Sequence, residues 1–285
     1  MVVPAALRVI QLRRESRASG EALHLRIRCG GRIAGPASSS RAGAIMRVHV
    51  IQQVAFEGPA AVSRWAAERG HTITASLAIL EEHPNPEDID LLVIMGGPMA
   101  ADDEVASPWL RAEKHFIAAT IAAGRPVLGI CLGAQILAEV IGGTVRRNEQ
   151  PEIGWFPVER TLEGAEEPLF SAWDEPVVVG QWHGDTFDLP LGMEPALSSA
   201  ACRNQAFVFD TRVVGLQFHL EWAELSLADL LAECAGDLAV ATPSTMTADQ
   251  IAEGDRLHGA ASRERLFALL DGLAEIGIGK PGDGQ

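Results

Sequence analysis

From Met46 onward the chain alternates between short apolar runs that suit strands and longer stretches with helical spacing, and this alternation narrows the folds open to it. Residues 46 to 52, "TITASLAI", "DLLVIM" and "PVLGI" read as strands, with helical patterns between or after them at about 59 to 69, 108 to 123 and 132 to 141. Apolar strands of this length joined through helices imply parallel pairing with helices on both faces, because a parallel crossover needs a covering helix. The expected fold class is α/β, with a doubly wound, mostly parallel central sheet. The later runs "GWFPVER", "PVVVGQW", "QAFVFD" and "VVGLQFH" lack long helices between them and predict a β-rich continuation with antiparallel pairs. After about residue 223, "LSLADLLAECAGDLA" and "SRERLFALLDGLAEIG" show the three- and four-residue spacing of a helical extension expected to pack back on the domain.

Residues 1 to 45 behave differently. They show no sustained period and hold eight arginines against only Glu15 and Glu21, a balance of +6, while the remaining residues carry −21. The segment is expected to be disordered or to be upstream sequence translated from a start assigned too early, with a targeting peptide as the other reading. The folded domain is therefore expected to span residues 46–285. The overall charge of −15 argues against nucleic-acid binding, which relies on neutralising phosphates. No stretch approaches the ~20 unbroken apolar residues of a membrane span. Cys29, Cys131, Cys202 and Cys234 form no CxxC pair and no disulfide framework, which fits a reducing cytoplasm.

One cysteine stands apart. Gly129-Ile-Cys131-Leu-Gly133 has the spacing of a nucleophile elbow, where a strand turns sharply into a helix and the flanking glycines relieve crowding. At the start of that helix a thiol meets unsatisfied N–H groups and the positive dipole end, which favour thiolate. Burial is the ordinary fate of a cysteine, and the elbow is what sets Cys131 apart from it. A thiol nucleophile needs an imidazole, and the imidazole an orienting carboxylate. "VVGLQFHLEW" offers His219 at the end of an apolar strand and Glu221 two residues on, so strand alternation can turn both to one side. Upstream, "VIMGGPMAADDE" ends a strand in Gly96-Gly97-Pro98, at the sheet edge where open α/β sheets place ligands. The N–H groups of Gly97 and Leu132 could form an oxyanion hole. His183 is either a pocket gate or a structural histidine. Trp155, Trp173, Trp182 and Trp222 read as packing residues, and the other three cysteines have no elbow context.

Taken in order, "MGGP", "GICLGAQ" and "GLQFHLEW" resemble the class I, triad-type glutamine amidotransferase family, especially stand-alone members related to the amidotransferase domain of GMP synthase. "GQWHGDTFDLP" resembles the family's segment between elbow and histidine. The resemblance runs from Met46 to about Trp222. It implies a flavodoxin-like sheet, a triad of Cys131, His219 and Glu221, and help from Gln135 and the backbone around Gly97, Gly184 and Asp185 in holding a γ-glutamyl substrate. Leu220 stands where the family often has proline, which puts the biosynthetic branch in doubt while keeping both catalytic side chains.

The implied chemistry is thiolate attack on the side-chain amide of glutamine, ammonia release, and hydrolysis of a γ-glutamyl thioester, with no metal or organic cofactor required. The chain has no Walker A loop, so the ammonia would go to a separate synthetase or acceptor, or be released. Cleavage of γ-glutamyl peptides by the same triad is the alternative, and a catalytically silent binding or regulatory subunit is a third reading.

Overall fold

The structure, a computed structural model, describes residues 44–80, 82–239 and 241–278, so the expectations for the arginine-rich leader and for Cys29 lie outside the described residues. Nine strands form one sheet: β1 Arg47–Gln52, β2 Thr72–Leu77, β3 Leu91–Ile94, β4 Val127–Ile130, β5 Thr144–Arg160, β6 Val177–Asp188, β7 Leu197–Ser198, β8 Ala206–Phe209 and β9 Val213–Leu216. Their spatial order is β2-β1-β3-β4-β9-β8-β7-β5-β6. The first five in that order pair in parallel, and the pairs β9-β8, β8-β7, β7-β5 and β5-β6 are antiparallel. The parallel half has the flavodoxin-like arrangement.

The helices are α1 Ala60–Arg69, α2 Trp109–Ala122, α3 Leu132–Val140, α4 Leu162–Glu166, α5 Glu224–Glu233, α6 Ala248–Gly254 and α7 Ala260–Ile278. Strand alternation sorts the core onto two faces. On one, Val48, Val50, Leu91 and Val93 meet Trp65 of α1 and the stripe Leu266, Leu269, Leu270 and Leu273 of α7. On the other, Ile51, Leu92 and Ile94 meet Leu110 and Ile117 of α2 and Ile136 and Leu137 of α3. Each of these buried leucines contributes roughly 1.5–3 kcal/mol, so the helical extension is part of the core through α7. No helix among the described residues is long and apolar enough to cross a membrane.

Two features depart from the sequence reading. The run "VVGLQFH" was expected in an antiparallel continuation; β9 is antiparallel to β8 but lies parallel beside β4, with Ile130 opposite Leu216. The run "GWFPVER" is only the second half of a 17-residue strand. Its first half, from Thr144, is polar and mostly exposed, so no apolar period marked it.

Candidate active site

Cys131 is the hinge between β4 and α3. Its backbone has φ 53° and ψ −110°, a sparsely populated conformation for a residue with a side chain, held only where the surroundings over-determine it. The flanking glycines are part of that enforcement. A Cβ on Gly129 would lie 2.5 Å from the carbonyl oxygen of Gly133, and one on Gly133 would lie 2.3 Å from that of Ile94. Only glycine lets α3 start this close to β3 and β4. The Cys131 N–H donates to Leu216 O at 2.7 Å, fixing the elbow to β9.

Past β9 the chain bends at Gln217 and Phe218, and the His219 N–H donates to Gly180 O of β6 at 2.7 Å. His219 Nδ1 lies 2.7 Å from Glu221 Oε1, and the Leu220 N–H donates to Glu221 Oε2 at 3.0 Å. The carboxylate therefore accepts at both oxygens, which places the proton of Nδ1 toward Glu221 and turns Nε2 toward the pocket. A proline at position 220 would have no N–H to give, so the departure at Leu220 supplies a bond that holds Glu221 in place. The indole of Trp222 stacks on the His219 ring with centroids 4.9 Å apart. Burial alone would lower the His219 pKa, but the charge of Glu221 and the adjacent Cys131 thiol together raise it well above its ordinary value. The imidazole is thus suited to hold a proton for a departing group.

Among the described residues none hydrogen-bonds to the buried Nε2 of His219 with good geometry. The thiol of Cys131 instead donates to Trp182 O at 3.5 Å, while Gln217 Nε2 lies 3.9 Å from its sulfur. Thiol and imidazole nevertheless border one space: the point where a Cβ on residue 96 would sit is 3.4 Å from His219 Cε1 and 3.5 Å from Cys131 Cβ. The thiol is near enough to raise the imidazole pKa, and poorly aligned nucleophile–base bonds in a ligand-free site tighten when substrate binds.

Gly97 is packed against both the β1 end and the elbow helix. A Cβ there would lie 2.6 Å from Gln53 Cβ and 3.2 Å from Leu132 Cδ2. Leu132 is the first residue of α3, so its N–H has no acceptor within the helix. Gln135 is buried beneath the nucleophile, where its amide nitrogen donates to Asp185 O and to Gln217 Oε1, each at 3.2 Å. Gly184 and Asp185 lie in β6 beside Arg147, whose guanidinium pairs with the Asp185 carboxylate at 3.1 Å. The structure therefore brings Cys131, His219, Glu221, Gly97 and Leu132 to one place, with Gln135 and the Asp185 carbonyl linked to it through Gln217.

Sequence reasoning passed over Gln217, Trp222 as a ring partner, and Glu57, whose Oε2 lies 2.6 Å from the same point above Gly96. Gln217 carried a usable signal, lying two residues before His219. Glu57 carried none, being a single acid in a loop.

His183 is structural. Its ring nitrogens lie 2.9 Å from Asp185 O and 3.1 Å from Glu152 Oε2, its cross-strand partner. With Cys202, these residues form the one group among the described residues whose ligand-type atoms all fall within 4.8 Å. Each already has protein partners: Glu152 accepts from Ser199 and Gln205, and Cys202 Sγ lies 3.1 Å from Thr186 Oγ1. Their hydrogen-bonding capacity is met without a cation.

A model of the class-I glutamine amidotransferase family matches residues 61–227. The chain is 32% identical over 233 residues to the glutamine amidotransferase-like protein YfeJ of Salmonella typhimurium, covering 80% of this chain and 97% of that protein. It is 34% identical over 201 residues to GMP synthase of Thermomicrobium roseum, covering 69% of this chain but only 35% of that enzyme's length. Among solved structures, a glutamine amidotransferase from Thermotoga maritima superposes with a TM-score of 0.74 at 29% identity, over 81% of this chain and 99% of the other.

Proposed function

The chain belongs to the class I glutamine amidotransferase family, and on that premise we propose that it is a cysteine-dependent amide hydrolase that releases ammonia from the side chain of glutamine. The observation that carries this reading is the strained Cys131 at a helix start, facing a His219–Glu221 pair whose outer nitrogen has no well-aligned partner among the described residues.

In this reading the Cys131 thiolate attacks the γ-amide carbon. The S–C bond forms, and the carbonyl electrons move to oxygen, where the Gly97 and Leu132 N–H groups receive the charge. Collapse breaks the C–N bond as His219 Nε2 delivers its proton to the departing nitrogen, leaving a γ-glutamyl thioester. Water then attacks the thioester, giving a proton to Nε2, and the S–C bond breaks to return thiolate and glutamate. Glu221 holds the imidazole tautomer throughout. Gln135 and the backbone of Gly184 and Asp185 support the glutamyl portion. A separate cytoplasmic synthetase is the proposed ammonia acceptor.

A glutamine-analogue diazoketone tests this directly. Mass analysis should find one adduct on Cys131, and ammonia release from glutamine should be lost in Cys131→Ala. A folded protein without adduct would instead be a silent subunit. A second reading, hydrolysis of γ-glutamyl amides of larger amines, is favoured by the Glu57 carboxyl in the same pocket.

A further inference from the structure

Glu57 lies in the connection between β1 and α1. The position of a Cβ on residue 96 is 2.6 Å from Glu57 Oε2, 3.4 Å from His219 Cε1 and 3.5 Å from Cys131 Cβ. Any side chain at 96 would fill the space these three groups share. Glycine leaves it open, with a carboxyl aimed into it.

That carboxyl has no answering group. Among the described residues no hydrogen bond or ion pair reaches its oxygens; the bond recorded at Glu57 is to its backbone carbonyl, from Gln52 Nε2 at 3.5 Å. Glu221 is engaged by His219 and Leu220, and no lysine or arginine among the described residues bonds to either acid. The pocket therefore offers two carboxyls for one imidazole. Burial pushes the Glu57 carboxyl up to about 7, His219 opposing the shift and Glu221 adding to it. Glu57 is half-buried beside the reacting centre, and a ligand's positive charge would give its carboxyl a partner.

The ring orientation sets which nitrogen faces the substrate. Nδ1 of His219 is held by Glu221, so Nε2 is the nitrogen that serves the leaving group, and Cε1 is bonded to both. Glu57 Oε2 and the Cε1 edge of the ring border the same space above Gly96. The departing amine would sit there, rather than the α-ammonium at the other end of a γ-glutamyl substrate.

We propose that Glu57 recognises a positive charge on the leaving amine, so that the site takes γ-glutamyl amides whose released amine carries a second, cationic nitrogen. This rests on the amide-hydrolase reading for the direction in which substrate lies. Glutamine, whose leaving group is ammonia, is the smallest γ-glutamyl amide and lacks that second nitrogen.

The test is a binding comparison on full-length Cys131→Ala protein at pH 8, where turnover cannot intervene. Two ligands are matched in shape: the γ-glutamyl amide of 1,3-diaminopropane and the γ-glutamyl amide of butylamine, which replaces the terminal ammonium by methyl. The diamine ligand should bind roughly tenfold more tightly, the scale of one charge-assisted contact. Adding Glu57→Gln should bring the ratio close to one. Equal binding in the Cys131→Ala protein would overturn the proposal even if the double variant did not fold. So would a ratio that survives Glu57→Gln, or an equal weakening of both ligands, which would place the carboxyl on the shared glutamyl end. Turnover by the unmodified protein separates the two readings. A binding preference for the ammonium ligand, with neither amide nor glutamine hydrolysed, would sink the hydrolase reading and keep Glu57 as the recognition group. Hydrolysis of glutamine without that preference would do the reverse.

Discussion

The described residues contain two cysteine–histidine–glutamate groups, and they differ in almost everything except composition. In Cys202, His183 and Glu152, both ring nitrogens of the histidine face protein acceptors, the carboxylate accepts from Ser199 and Gln205, and burial pushes the thiol pKa up. In Cys131, His219 and Glu221, one ring nitrogen is buried without a well-aligned partner among the described residues and the cysteine is held at φ 53°. Both groups are almost wholly buried. What separates them is the unspent hydrogen-bonding atom and the strained backbone, features that a folded protein keeps only at a cost. The two groups also meet at one atom: the Asp185 carbonyl oxygen accepts from His183 and from Gln135, which bonds in turn to Gln217 beside the Cys131 sulfur. The satisfied group acts as the footing of the strained one.

The most severe challenge to this distinction is a pair of alanine variants. Cys131→Ala should lower ammonia release from glutamine by ~10³-fold or more. Cys202→Ala should leave that rate within about threefold and cost ~1 kcal/mol in urea unfolding. Comparable rate losses would erase the difference between the two groups. His183→Ala comes next: stripping the imidazole from buried Glu152 should cost about 3–5 kcal/mol of stability, and an unchanged urea midpoint would show that the footing carries no weight.

A third buried acid sharpens the comparison. Glu113 has Gln53 as its side-chain hydrogen-bond partner, with no histidine, and burial pushes its pKa up to about 7. Its folded state favours the protonated form, so the stability it contributes is fully present below pH 4.5 and is lost as pH rises through 7. Glu113→Gln keeps the acceptor and removes the charge. It should raise stability by at most ~3 kcal/mol at pH 8 and by little at pH 4. A gain of the same size at both values would assign the effect to packing.

The elbow was legible because everything that specifies it is local: an apolar strand, two glycines and a helical run, with the glycines demanded by close contacts at Gly133 O and Ile94 O. The His219–Glu221 pair was legible for the same reason, its members being two residues apart. What could not be read was pairing at a distance. Nothing within "VVGLQFH" says that β9 returns beside β4. Nothing in the polar stretch from Thr144 announces the first half of β5, because an exposed strand carries little apolar alternation. Trp222 read correctly as a packing residue, and the ring it packs on is that of His219. Glu57 acquires meaning only when Gly96 brings a loop from β1 over the end of β3.

The parallel pairing of β4 with β9 has a consequence for how the protein could be cut. Ile130 and Leu216 share a rung, and the chain between them leaves the sheet centre and comes back to it. Nucleophile and base are thus aligned by the rung and not by the length of the excursion. Leu191, fully exposed in a turn of that excursion, marks a place to open the chain. Two separately expressed halves meeting at that turn would carry Cys131 on one polypeptide and His219 with Glu221 on the other, and reassembly of a single sheet would restore both to one pocket.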